Sequence, residues 1–184
     1  SIISSAAAIV SAIYVIAVLV VFPFSEFAVN DDWIFVRQVE AFELGIPTLS
    51  SLIDPCFIFQ GGLGFLWGQI FGISFVSMRM LTVLATIILI FGVYKILKFF
   101  KTTEEVSILV LLTLVFNPVL FNSSLTFMTE IYFLVFFVWS LYFYLRDLRE
   151  KSGLRSFILG TVLSGFAFLI RQYGVFLPLL VLAL

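Results

Sequence analysis

Asn30-Asp31-Asp32-Trp33 places two adjacent carboxylates directly after an apolar run long enough to cross a bilayer. Acids at a membrane exit are costly to desolvate, so a pair of them marks a functional site by default. One carboxylate could take a proton from an attacking hydroxyl or amine while the other orients the site or holds a cation. The competing account is a helix cap beside a solvated surface acid. Glu130 is a second such acid, just after the polar step Thr126-Phe127-Met128-Thr129. It could converge with Asp31 on one cavity, or simply sit at the positive end of a helix. Arg171 lies between two apolar runs. Its guanidinium matches a phosphate bidentately; otherwise it would snorkel to the interface or pair with an outer acid. Arg79, at the start of another apolar run, carries the same two readings. The chain has no His, so its own residues cannot build a Ser-His-Asp triad, a Cys-His dyad or a His-bound metal. A general base here is a carboxylate or, less readily, a Lys or Tyr.

These groups need elements to hold them, and composition puts the elements in lipid. Of 184 residues, 62% are hydrophobic and 11% charged, with a mean hydropathy of +1.23. A soluble domain of this size cannot bury so much apolar surface. The 24 Phe and three Trp suit contact with acyl chains and headgroups. A net charge of −1 with no basic stripe argues against nucleic acid as a partner and for membrane lipids. The fold class expected is all-α, a polytopic transmembrane helix bundle with a long first outer loop that carries interfacial helices. Spans are expected over residues 2–24, 78–99, 106–121, 131–145 and 154–170, with a sixth beginning at 173–184. Pro23 marks the first exit, and Asn117-Pro118 bends the third span. Residues 146–155 read as a charged loop. The chain opens on Ser1 and stops inside an apolar run, which reads as part of a longer protein.

Residues 25–77 form the outer loop and hold most of the acids. Asn30 or Asp31 can cap a short helix with Phe35, Val39 and Phe42 on one face and Arg37, Gln38 and Glu40 mostly off it. That pattern suits a helix lying in the interface, ended by Gly45-Ile46-Pro47. Arg37 pairs with Glu40 at helical spacing. Leu63 to Phe75 is too short to span, and Gly64, Gly68 and Gly72 would let it approach another helix closely. Basic residues then sort by side. Lys95, Lys98, Lys101, Arg146, Arg149, Lys151 and Arg155 fall on one side, and only Arg37, Arg79 and Arg171 on the other. The basic side is expected to be cytoplasmic, which turns Asp31, Asp32, Asp54, Glu130 and Arg171 outward.

The order of these motifs resembles the membrane glycosyltransferases of the GT-C superfamily. It is most similar to the protein O-mannosyltransferase and aminoarabinose transferase-like group, of the glycosyltransferase family 39 type. The resemblance rests on Asn30-Asp31-Asp32-Trp33, Gly45-Ile46-Pro47, Gly61-Gly62-Leu63-Gly64, Met78-Arg79-Met80-Leu81, Met128-Thr129-Glu130 and Arg171-Gln172-Tyr173-Gly174. It implies transfer of a sugar from a polyprenyl-phosphate donor to a protein, lipid or glycan acceptor. Asp31 would match the first-loop catalytic acid and act as the base, and Glu130 would match the second-loop acid. Arg171, with Arg79, would meet the donor phosphate. The family usually shows Asp-Glu where this chain has Asp31-Asp32, which leaves open which of the two is the base. It also leaves open whether a divalent cation binds Asp31, Asp32 and Glu130. An integral membrane protein follows, either in a prokaryotic plasma membrane with its site outward or in an endoplasmic-reticulum membrane with its site in the lumen. The rival readings are a transporter or channel subunit with Asp31, Glu130 and Arg171 along an ion path, and a non-catalytic lipid-binding membrane protein.

Overall fold

The computed structural model describes residues 6–21, 26–53, 55–150 and 154–182. Pro23, Asp54 and Lys151, named above, lie outside the described residues. Among the described residues the regular elements are all helices. Its elements are α1 (Ala6–Val21), α2 (Asp32–Glu43), α3 (Ile58–Phe71), α4 (Phe75–Phe99), α5 (Glu104–Val115), α6 (Pro118–Ser124), α7 (Thr129–Glu150), α8 (Leu154–Phe168) and α9 (Phe176–Leu182). Helices α4 and α7 are each long and apolar enough to cross a bilayer, and α5 with α6 forms a third such unit bent by 70°. The fold is an all-helical membrane bundle.

Local chemistry explains the breaks. Asn117 ends α5 and caps α6, its side-chain oxygen accepting from the Val119 and Leu120 N–H groups at 3.0 and 3.4 Å. Pro118 follows at the first helical position, where its missing N–H costs nothing. Ser74 caps α4 by accepting from the Ser77 N–H. The long helix therefore starts at Phe75, ahead of the expected Met78. At the other end of the bundle, α7 runs on to Glu150. Arg146 to Glu150 thus form helix where a loop was expected, because these residues carry no Gly or Pro to stop it.

Two apolar clusters meet along α4. One joins α1 to α4, α5 and α6 through Val10, Tyr14, Ile90 and Leu111. The other gathers α2, α3, α4 and α7 around Val36, Val39, Phe57, Met78 and Phe127. Helix α3 begins at Ile58, earlier than its glycines suggested, directly after Phe57, which is fully buried in this second cluster. Gly61, Gly64 and Gly68 are buried on its inner side. A methyl group at Gly64 would meet the Phe127 ring and Val39 at 2.8 and 3.0 Å. Gly72 does not extend that face. It ends α3 with φ of +78°, a conformation that favours glycine. Trp67 ties α3 to α4, its indole N–H donating to the Ser77 carbonyl and hydroxyl, each at 3.1 Å.

Helix α2 is fastened at both ends. Gln38, expected on its polar face, is buried. Its amide donates to the Thr48 carbonyl and accepts from the Ser50 N–H, at 3.0 and 2.8 Å, which satisfies the loop after α2. Ahead of α2, a strap of residues 26–32 is tied to the start of α4. The Glu26 carboxylate accepts from the Phe75 N–H at 2.8 Å and the Val76 N–H at 3.4 Å, an anion at a helix N-terminus. Arg79 donates to the Phe27 carbonyl at 2.6 Å. It also donates to Asp32 Oδ2 through Nε at 3.0 Å and a terminal nitrogen at 2.8 Å. The Val29 N–H donates to Asp32 Oδ1 at 2.9 Å. Both side chains of the pair are fully buried.

Two predictions follow from this packing. Gly64→Leu should lower the denaturation midpoint in detergent by an amount equivalent to about 1–3 kcal/mol of overpacking, whereas Gly62→Leu, facing open space, should leave it within experimental error. Asp32→Ala or Arg79→Ala alone should cost about 3–5 kcal/mol by stranding a buried charge. The Asp32→Ala/Arg79→Ala double variant should cost well under the sum, as read from a double-mutant cycle of thermal stability.

Candidate active site

The helix directions put the strap, the start of α4, the start of α7 and the turn after α8 at one end of the bundle. An ion pair and a hydrogen bond join helices at the opposite end: Lys98 meets Glu104 at 2.9 Å, and Arg149 donates to the Phe99 carbonyl at 2.6 Å. Asp31, Asp32, Arg79, Glu130 and Arg171 are therefore all neighbours of the first end, but they are not one cluster.

Asp31 is the N-cap residue of α2 and is exposed, yet its side chain makes no capping hydrogen bond. Asn30 before it takes φ of +59°, a left-handed turn that Asn tolerates and that swings the two Asp side chains to different fates. Asp32 is directed inward to Arg79. Burial pushes its carboxyl above the ordinary value, while the Arg79 guanidinium and the Val29 N–H act in the other direction. Enclosure decides its role more firmly than acidity does, since no acceptor molecule reaches a group with no accessible surface. Arg79, expected at a donor phosphate, is likewise enclosed, with the Phe27 and Phe75 rings lying against it. Of the two accounts open for Arg79, pairing with an outer acid is the one its geometry matches.

Glu130 stands in the first turn of α7, and Arg171 in extended backbone just before a 3-10 turn over Gln172–Val175. They pair at 2.5 Å while each keeps about a third of its side chain exposed. The Thr129 hydroxyl accepts from Arg171 Nε at 2.9 Å and fixes the guanidinium's plane. Beside this pair lies a hollow of about 450 Å³ lined by Phe35, Leu52, Thr129, Arg171, Gln172 and Tyr173. Small-molecule sites generally fall in the range of about 300–1,000 Å³.

Two contacts bring the Asp31 turn to the edge of that hollow. Phe35 lies four residues after Asp31, on the same helix face, and lines it. Asn30 donates to the Met128 sulfur at 3.6 Å, next to Thr129. The end of the bundle thus presents the exposed Asp31 carboxylate, the partly exposed Arg171 guanidinium and an open space beside them. Among the described residues no three of His, Cys, Asp and Glu gather as metal ligands. Asp31, Asp32 and Glu130 do not form a three-carboxylate set for a divalent cation here, because Asp32 is closed on Arg79.

Sequence reasoning missed Glu26 and Thr129. Each serves only through a long-range partner, α4 in one case and Arg171 in the other, and neither spacing nor periodicity encodes such a partner. Tyr173 is exposed and stacks on Phe176 while lining the hollow.

A family model described as dolichyl-phosphate-mannose-protein mannosyltransferase matches residues 65–184, well over half of the chain. The match starts inside α3, so it takes in Arg79, Glu130 and Arg171, while the strap and α2 with Asp31 and Asp32 lie ahead of it. No curated protein and no solved structure matches the chain. A helical membrane bundle, with its charged hollow at one end and a family match over most of its length, makes this chain a member of the dolichyl-phosphate-mannose-protein mannosyltransferase family and a glycosyltransferase of the GT-C type.

Proposed function

We propose that the protein transfers a sugar from a polyprenyl-phosphate donor to an acceptor on the non-cytoplasmic side of its membrane, with Asp31 as the base. The family's description supports mannose as the sugar, a dolichyl-type lipid as its carrier and a protein as the acceptor. Lipid or glycan acceptors fit the same chemistry. The sidedness rests on charge: Lys95, Lys98, Lys101, Arg146, Arg149 and Arg155 belong to the end opposite the hollow.

The observation that carries this reading is the pairing of an exposed, uncapped Asp31 with a hollow walled by Arg171 at the same end of the bundle. In the proposed reaction the donor's phosphate lies against Arg171, where a planar guanidinium offers two parallel donors. The acceptor hydroxyl arrives from the aqueous side. Its oxygen bonds to the anomeric carbon, its proton passes to Asp31, and the carbon–oxygen bond to phosphate breaks with the electron pair leaving on the polyprenyl phosphate. A single displacement inverts the anomeric configuration. Asp32 and Arg79 take a different part from the one their sequence suggested: they hold the turn that presents Asp31. Glu130 joins the site through Arg171.

Asp31→Asn should reduce transfer from a radiolabelled polyprenyl-phosphate mannose by at least about a hundredfold, the lower range for a positioned general base, while leaving the thermal midpoint unchanged. Full transfer by that variant would remove Asp31 from the mechanism. Stereochemical analysis of the product should show inversion at the anomeric carbon.

A further inference from the structure

Two of the arginine–carboxylate pairs at this end of the bundle, Arg79–Asp32 and Arg171–Glu130, are built in opposite ways. Arg79 and Asp32 are fully buried, and the Phe27 carbonyl and Val29 N–H take up further hydrogen-bonding capacity on each side. Such a pair cannot open without stranding charge. Arg171 and Glu130 are each about one-third exposed. Only Oε1 of Glu130 meets the guanidinium; Oε2 is buried with no hydrogen-bond partner. A pair of this kind is weakly held, because water and salt screen it and one acceptor is already unsatisfied.

The surroundings provide for exchange. On one side of the pair is the hollow of about 450 Å³ that Arg171 lines. Glu130 lines a separate groove of about 490 Å³ under the bent α5–α6 unit, together with Thr113, Asn117, Ser123 and Leu134. That groove leaves the carboxylate room to turn, while Thr129 keeps Arg171 in place through Nε. The terminal nitrogen that Glu130 now occupies is the part of Arg171 that an anion entering the hollow would seek.

We infer that Glu130 is a displaceable stand-in for the donor's phosphate: it occupies Arg171 in the empty protein and gives it up when the phosphate arrives. Glu130 is then a positioning residue that sets donor affinity through Arg171. This rests on the reading of Arg171 as the phosphate contact. The resting pair keeps the guanidinium oriented, and its displacement makes donor binding weaker than Arg171 alone would give.

The test measures binding of sugar-free polyprenyl phosphate to the protein in nanodiscs, with the unphosphorylated polyprenol as control. Glu130→Gln removes the competing charge and should bind polyprenyl phosphate about two- to fivefold more tightly, the ratio expected for a half-exposed ion pair. Glu130→Asp, which keeps the charge and shortens its reach, should fall between Glu130→Gln and the wild type. Arg171→Gln should lose at least about tenfold, and adding Glu130→Gln to it should restore nothing. In the transfer assay Glu130→Gln should lower KM for the donor, a change that a purely structural role for Glu130 would not produce. Unchanged or weaker phosphate binding by both Glu130 variants, with normal binding by the wild type, overturns the exchange. Equal binding of polyprenyl phosphate and polyprenol by the wild type instead overturns the phosphate reading of Arg171 on which it stands.

Discussion

The enclosed guanidinium of Arg79 is the constraint on which the exposed end of this protein depends. It reaches from the second turn of α4 to a backbone carbonyl and a carboxylate in the strap that leads into α2. A charge this deeply buried has to be neutralised and hydrogen-bonded where it stands, and only one arrangement of the strap supplies both. Net stability is not the main consequence, since desolvation offsets much of the attraction. The consequence is register. Once Asp32 is turned inward, Asp31 must face out, because the two residues leave a single tight turn in different directions.

The rest of the site is arranged around that register. Val36 and Val39 follow Asp32 at helical spacing and seal α2 onto α3 and α4. The small residues of α3 make the close approach possible, with Gly64 set against Val39 and Phe127. Phe127 in turn belongs to the segment that delivers Thr129 and Glu130 to the head of α7. A change in the strap would therefore move the edge of the hollow through a continuous chain of packed side chains, with no contact to the donor site itself.

Two carboxylate–guanidinium pairs thus differ in what they can do, and the difference is solvent. Water withdrawn from Asp32 and Arg79 makes their pair a permanent fastening. Water left around Glu130 and Arg171 makes theirs exchangeable. The site proposed above, which would bind a lipid phosphate and later release it, has use for both kinds at one end of the bundle.

Much was legible in the sequence alone. Composition required a helical membrane bundle, because that much apolar surface has no other solvent and the backbone must satisfy its own hydrogen bonds in lipid. The Asn117-Pro118 break, the short α2 and its end near Gly45 could be read from local chemistry, since caps and turns are decided within a few residues. The residues that populate the charged end were also visible, as ionisable groups are conspicuous in an apolar chain. Their partners were not. Whether Arg79 met a ligand or Asp32, whether Gln38 faced water or the Thr48–Ser50 loop, and whether Gly72 packed a helix or ended one depended on contacts between residues far apart in the chain or on a backbone conformation set by them. Those choices belong to tertiary structure, because burial decides which charges must pair and which stay free, and burial is a property of the assembled bundle rather than of any segment within it.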